Sequence, residues 1–197
     1  MRYPTGIKKQ YHKPISHVNR GMDLESDINK TNDYYLCNNI AVIHKKPTPI
    51  KLVEVDYPSR NEAVIKRAYF ETPSTTDYNG IYKGKYIDFE AKETKSDNFP
   101  LKNIHAHQIK HLKCITEMNG IGFIIVRFTK LDETYLLETS KLLDFIDNEN
   151  RKSIPIQYFK EEGYLIKLNY CPRLDYLKVI EEIYFRGDLY EENSKNN

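Results

Sequence analysis

The chain has 197 residues, 40% hydrophobic and 29% charged, with a formal net charge of +2, which suits one domain of ordinary size with an extension. No apolar run approaches the ~20 residues of a membrane span and the N-terminus has no apolar signal core, so neither membrane insertion nor secretion is expected, and a cytoplasmic setting is. Cys37, Cys114 and Cys171 are odd in number and widely spaced, which excludes a disulfide framework and a paired zinc site.

Residues 1–18 mix Pro, Gly, Lys and Tyr without periodicity and read as a flexible basic arm; residues 19–186 read as a single domain and residues 187–197 as a polar tail. A helix is expected from Gly21, because Leu24, Ile28, Thr31 and Tyr35 recur at helical spacing. Asn19 is its expected cap, and Asp23, Glu25 and Asp27 suit its positive N-terminal end. A short apolar strand over 40–43 runs into Lys45-Lys46-Pro47-Thr48-Pro49, whose two prolines break pairing and redirect the chain. A strand is expected over 50–55 and a helix over 61–70, the latter on Ala63, Ile65, Ala68 and Tyr69. Residues 46–74 are therefore basic, Pro-bracketed and Tyr-rich, and read as an insertion or protrusion outside the central core.

Residues 74–80 are turn-rich, with Asn79-Gly80 the strong turn signal and Lys83-Gly84 a weaker one. They lead into a strand pair over 81–82 and 86–94. A helix over 103–118 ends at Asn119-Gly120, in the position of a C-cap. The run IGFIIVRF over 121–128 is the most apolar strand and is expected to be central, with 134–138 as its partner. Helices are expected over 139–147 and 173–185, with loop between them. Strands flanked by helices make an α/β domain with a mixed central β-sheet.

In the strand YIDFEAK over 86–92, Asp88, Glu90 and Lys92 share one face, while Ile87, Phe89 and Ala91 share the other. Such acids near Asp77 repel one another or need a cation, and a divalent metal answers that need. An Asp followed by Glu-x-Lys on the next strand is the pattern of PD-(D/E)xK nucleases, although acid-x-Lys triplets are also common on solvated strands. Local basic surface over 41–70 and 83–113 suits a phosphodiester substrate, with random clustering on a lysine-rich surface as the plain alternative. His107 and His111 stand four apart, the spacing of a zinc-binding helix, but Gln108 occupies the position of the HExxH glutamate and spacing supplies no third ligand. These histidines and Lys110 read as facing phosphate or water, with Gln108 able to turn towards the acids. There is no GxSxG elbow and no Walker A sequence. The Asp77…Glu90-x-Lys92 group is what elimination leaves. Asp88 on the same face and Glu25 at the edge of the first helix are second-tier acids.

Asn19-Arg20-Gly21-Met22, HKKPTP over 44–49, STTDYNGIYKGKYIDFEAKET over 74–94, FPLKNIHAHQ over 99–108 and CPRLDYLKVI over 171–180 together resemble the RecU family of Holliday junction resolvases. The resemblance implies a restriction-endonuclease-like nuclease core whose residues 46–74 form a stalk that enters the junction centre. It implies a homodimeric endonuclease that cuts two opposing strands of a four-way DNA junction symmetrically, in recombination and repair, with Mg²⁺ or Mn²⁺. By the same resemblance Asp77, Glu90, Thr75 and Gln108 surround the metal, Lys92 assists at the transition state, and the family is linked to the recombinase RecA. Lys45, Lys46, Lys51 and Arg67, around the stalk, are the expected DNA contacts. Two alternatives share much of this sequence logic: a non-cleaving junction-binding or RecA-modulating protein, and a duplex-specific restriction-like endonuclease.

Overall fold

The computed structural model describes residues 23–59, 62–71 and 75–185. The expected arm over 1–18, the cap Asn19 and the expected tail over 187–197 lie outside the described residues. The centre of the fold is β7 (Ile121–Phe128), whose every residue is buried. A strand enclosed on both faces has no use for polar alternation, which is why IGFIIVRF is apolar but for Arg127.

β7 lies in a six-stranded sheet with β1 (Val42–Lys45), β4 (Tyr78–Tyr82), β5 (Lys85–Thr94), β8 (Glu133–Glu138) and β10 (Tyr164–Leu165), in the order β1-β4-β5-β7-β8-β10. Only β5 and β7 pair in parallel; the other pairs are antiparallel, so the sheet is mixed, as expected. The parallel pair needs a crossover, and α2 (Ala106–Glu117) supplies it. α1 (Leu24–Cys37) and α5 (Tyr176–Tyr184) cover one face, over Ile43, Tyr78, Ile87, Phe89 and Phe123. The other face packs Ile124, Val126 and Phe128 against Leu112 of α2, Phe145 of α3 (Thr139–Asn148) and Phe159 of α4 (Ile156–Glu162).

An aromatic ladder crosses the first face. Tyr78, Phe89 and Phe123 sit opposite one another on β4, β5 and β7. Tyr78 stacks on Phe89 at 4.8 Å between centroids, and Phe89 on Phe123 at 4.8 Å. Tyr176 of α5 closes over Phe89 at 5.2 Å. A buried ion pair secures α1 to the same face: Arg127 of β7 donates to Asp27 at 2.7 Å, and Arg173 reaches the second Asp27 oxygen at 3.3 Å.

Several expectations are corrected. α1 begins at Leu24, because the Asp23 side chain caps it by accepting the Ser26 N–H at 2.8 Å. Residues 61–70 are not helical: β3 (Val64–Phe70) pairs antiparallel with β2 (Ile50–Asp56) in a separate two-stranded ribbon. All of β3 is exposed, so its apolar spacing reports no helix face, and Val64, Ile65, Tyr69 and Phe70 follow their strand preference instead. The helix expected from 103 is preceded by a 3-10 turn (Leu101–Asn103), and α2 starts at Ala106. The helix expected from 173 starts at Tyr176, after the Leu174 N–H has gone to Thr31 Oγ1 at 2.9 Å. The expected loop after α3 contains β9 (Ser153–Pro155), which pairs with β6 (Asn98–Pro100), and then α4 and β10; these pieces are too short to leave a period.

Asn79-Gly80 is not a turn either. Both residues lie inside β4, and the hairpin to β5 closes at Lys83-Gly84, with φ of 45° and 75°, the left-handed pair that a two-residue hairpin requires. Gly80 serves close approach instead: a Cβ there would lie 2.1 Å from the Val42 carbonyl oxygen and 2.6 Å from Ile43 Cα, both backbone atoms of β1. Gly80→Ala is therefore expected to force β1 away and to lower stability by about 3 kcal/mol, read as the shift of a urea unfolding midpoint at unchanged slope.

Candidate active site

The pleat of β5 sends Ile87 and Phe89 into the α1/α5 core and turns Asp88 and Glu90 to the other face, both fully buried. Asp77 stands at the entry to β4, beside the C-terminal half of β5. Its backbone N–H donates to Glu90 Oε2 at 3.1 Å. Lys92, two residues on from Glu90, contacts Glu90 Oε1 directly and lies 3.8 Å from Asp77 Oδ2. The structure thus brings Asp77, Glu90 and Lys92 together. Asp77 and Lys92 border an open cavity of about 250 Å³ that Asp23, Glu25, Tyr78 and Glu93 also line, with Glu90 buried behind them.

Charge separates the two acids of β5. Asp77 and Glu90 have Lys92 between them, which leaves one negative charge in excess. Asp88 is balanced: Lys46 Nζ lies 2.7 Å from its Oδ2, where Tyr86 OH donates at 3.0 Å and His111 Nε2 stands at 3.2 Å, and Thr76 Oγ1 donates to Oδ1. Glu25 is likewise paired, with Lys45 at 2.5 Å. Excess charge beside a buried carboxylate is what a cation offsets, and Asp88, whose charge Lys46 meets, carries no such excess.

Among the described residues no three His, Cys, Asp or Glu side chains gather into a metal site. Mg²⁺ asks for less: one or two carboxylates, with water and substrate oxygens completing its shell. Thr75 is half-buried two residues before Asp77, and its Oγ1 makes a 3.4 Å contact to the Thr76 carbonyl. Gln108 is buried in α2, where its Oε1 accepts the His105 N–H at 2.9 Å and braces the start of the helix. An amide oxygen keeps a second lone pair in that arrangement.

The other expected positions scatter. Lys51 and Arg67 lie exposed on the β2–β3 ribbon, Arg67 donating to Tyr69 OH at 2.7 Å. Lys46 turns inward, its side chain only 19% exposed. His107 stacks on His105 at 5.4 Å, whereas His111 faces Asp88, so the two histidines at zinc spacing do not converge. Sequence reading did not single out Thr76, Tyr86 or Glu93. Thr76 and Tyr86 had a signal in their nearness to Asp77 and Asp88. Glu93 had none, because its contact with the α1 N-terminus, Leu24 N–H to Oε1 at 2.7 Å, is long-range.

Burial pushes the Glu90 carboxyl from its ordinary 4.5 up to about 7; contact with Lys92 opposes that rise and the charge of Asp77 adds to it. A carboxyl raised in the folded state holds its proton more tightly there than in the unfolded chain. In EDTA, stability is therefore expected to fall as pH rises from about 4.5 to about 7, by on the order of 2 kcal/mol, and to level off above that. Glu90→Gln should remove the decline, as read by unfolding midpoints across that pH range.

The family model described as "Recombination protein U" matches residues 19–182. A Holliday junction resolvase RecU of Bacillus mycoides (strain KBAB4) is 53% identical, covering 94% of this chain and 98% of its own. Its counterparts in Bacillus cereus (strain AH820) and Bacillus anthracis are each 52% identical over the same shares. Among solved structures, Archaeoglobus fulgidus Hjc, a Holliday junction resolvase from an archaeal hyperthermophile, superimposes with a TM-score of 0.43 at 9% identity, covering 70% of this chain and 94% of that one. A match over nearly all the described residues, with relatives identical at more than half their positions, places this chain in the RecU family.

Proposed function

We propose that the protein is a Holliday junction resolvase: a metal-dependent endonuclease of the PD-(D/E)xK type that makes paired cuts in four-way DNA junctions during recombination and repair. The observation that carries the reading is the Asp77–Glu90 pair with a single lysine between them, its Asp77 and Lys92 facing an open cavity, in a member of the RecU family. Asp77 and Glu90 hold Mg²⁺ or Mn²⁺ through their carboxylate oxygens, with Thr75 Oγ1 and Gln108 Oε1 as further oxygen donors. The bound ion supplies Lewis acidity and a water of lowered pKa. Glu90 must be ionised for this, so metal binding competes with its raised proton affinity. Lys92, already fixed by Glu90, extends its ammonium to where negative charge grows on the scissile phosphate.

Substrate choice falls to the β2–β3 ribbon, whose Lys51 and Arg67 are exposed on two sides of a narrow hairpin. Lys45, already paired with Glu25, stands where the ribbon leaves the sheet. A homodimer supplies the two sites that paired cuts need. Val42, Ile81 and Tyr86 support it: they align across β1, β4 and β5, and are exposed on the face that α2 leaves open. No described helix is long and apolar enough to cross a membrane, and a resolvase works in the cytoplasm, where its DNA and the recombinase RecA are.

Asp77→Asn and Glu90→Gln should each slow cleavage of a mobile four-way junction on the order of a thousandfold while leaving junction affinity in EDTA nearly intact. Cutting at the wild-type rate by either variant would falsify the site. Equal cutting of linear duplex would instead indicate a restriction-like enzyme, and tight junction binding without cutting a non-cleaving binder or RecA modulator. Lys51→Ala and Arg67→Ala should act in the opposite way, weakening junction binding and lowering its salt slope by roughly one unit per lost phosphate contact, with the chemical step unchanged. Titrating binding against NaCl tests this directly.

A further inference from the structure

The chain enters the β2–β3 ribbon from Lys46, directly after β1, and returns from it to Thr76, directly before Asp77. These two roots are bonded to each other, Lys46 Nζ donating to Thr76 Oγ1 at 3.1 Å. Both are also bonded to the same buried carboxylate, Asp88. Lys46 is tied to the site a third time, its backbone N–H donating to the Asp77 carbonyl at 2.7 Å. Tyr86 OH and His111 Nε2 occupy the remaining sides of Asp88, and Asn79 donates to Tyr86 OH at 3.0 Å. On one side the linkage is stiff: Pro47 and Pro49 lie between Lys46 and β2, and proline fixes φ.

We propose that Asp88 is a positioning residue that clamps both roots of the ribbon and so sets the place of Asp77 relative to Glu90. A shift of the ribbon against the sheet moves Lys46 and Thr76 first. Thr76 is adjacent to Asp77, and Lys46 holds the Asp77 carbonyl, so the shift passes to a metal-binding carboxylate with no intervening flexible segment among these residues. Because Asp88 is completely buried and its charge is met by Lys46, the clamp has one tight arrangement, and removing either partner leaves the other charge uncompensated. The clamp rests on the resolvase reading for its link to junction cleavage, but its effect on the Asp77–Glu90 pair does not.

The test uses the full chain and the variants Asp88→Asn, Lys46→Met and the two combined, with Tyr86→Phe as a milder change that keeps the ion pair. Free Mn²⁺ is titrated by electron paramagnetic resonance without DNA, and junction cleavage is measured in single turnover at saturating protein with Mg²⁺. Junction affinity in EDTA and the unfolding midpoint are recorded beside them. For Asp88→Asn and Lys46→Met we expect Mn²⁺ affinity and cleavage rate each to fall by on the order of tenfold to a hundredfold, since misplacement by about 1 Å has effects of that size. Asp88→Asn should bind the junction within about threefold of wild type. The combined variant should be no worse than the singles, because all of them break one link, and Tyr86→Phe should fall between them and wild type.

Unchanged Mn²⁺ affinity and cleavage in folded Asp88→Asn and Tyr86→Phe would overturn the clamp. So would effects that multiply in the combined variant. A wild-type chain that takes up Mn²⁺ but does not cut junctions removes the resolvase reading and leaves the clamp to be judged on Mn²⁺ affinity alone. A wild-type chain that does neither removes both.

Discussion

The stacked row Tyr78–Phe89–Phe123 sets the register on which everything else in this protein depends. Side chains alternate along a strand, so holding Phe89 on the α1/α5 face commits Asp88 and Glu90 to the opposite one. A slip of one residue would send both acids into the aromatic core and the aromatics towards α2. Such a slip is prohibitive, because it would bury charge without partners and lose stacked rings together. The site is precise because an apolar interaction behind it is.

Within that register, pairing decides the division of labour. Two acids on one strand face, both shielded from water, differ only in their neighbours. Asp88 has a lysine and three polar groups around it, and its place in the fold is structural. Glu90 shares a single lysine with Asp77 and remains short of positive charge. That deficit is what the proposed metal would offset, and its removal should be felt most where Glu90 is ionised.

Much of this was legible in the residues themselves. β7 was visible as the most apolar run of the chain, and the sharing of a face by Asp88, Glu90 and Lys92 followed from period-two alternation. The inward turn of Lys46 was not legible. It depends on Thr76 and Asp88 arriving from the approach to β4 and from β5, and a lysine beside two prolines looks the same whether it faces DNA or a buried acid. The role of Gly80 was hidden for a similar reason: Asn-Gly commonly marks a turn, and only the nearness of β1 shows that the absent side chain was the point. The β2–β3 ribbon misled because periodicity records burial. Where both faces are exposed, helix and strand leave the same trace.

The ribbon also has a thermodynamic signature of its own. Ile50, Leu52, Val53, Val64, Ile65 and Phe70 remain exposed in the single chain, on a two-stranded element of the kind that is marginal in water without support. Whatever covers them in an assembly removes apolar surface from water that folding left exposed. That association carries a negative heat-capacity change, so its enthalpy grows more favourable on warming while its entropic drive declines. Contacts to phosphate, by contrast, answer mainly to salt. Calorimetry over a range of temperature and ionic strength therefore separates what the ribbon's apolar side chains contribute from what its cations contribute, within one protein and one complex.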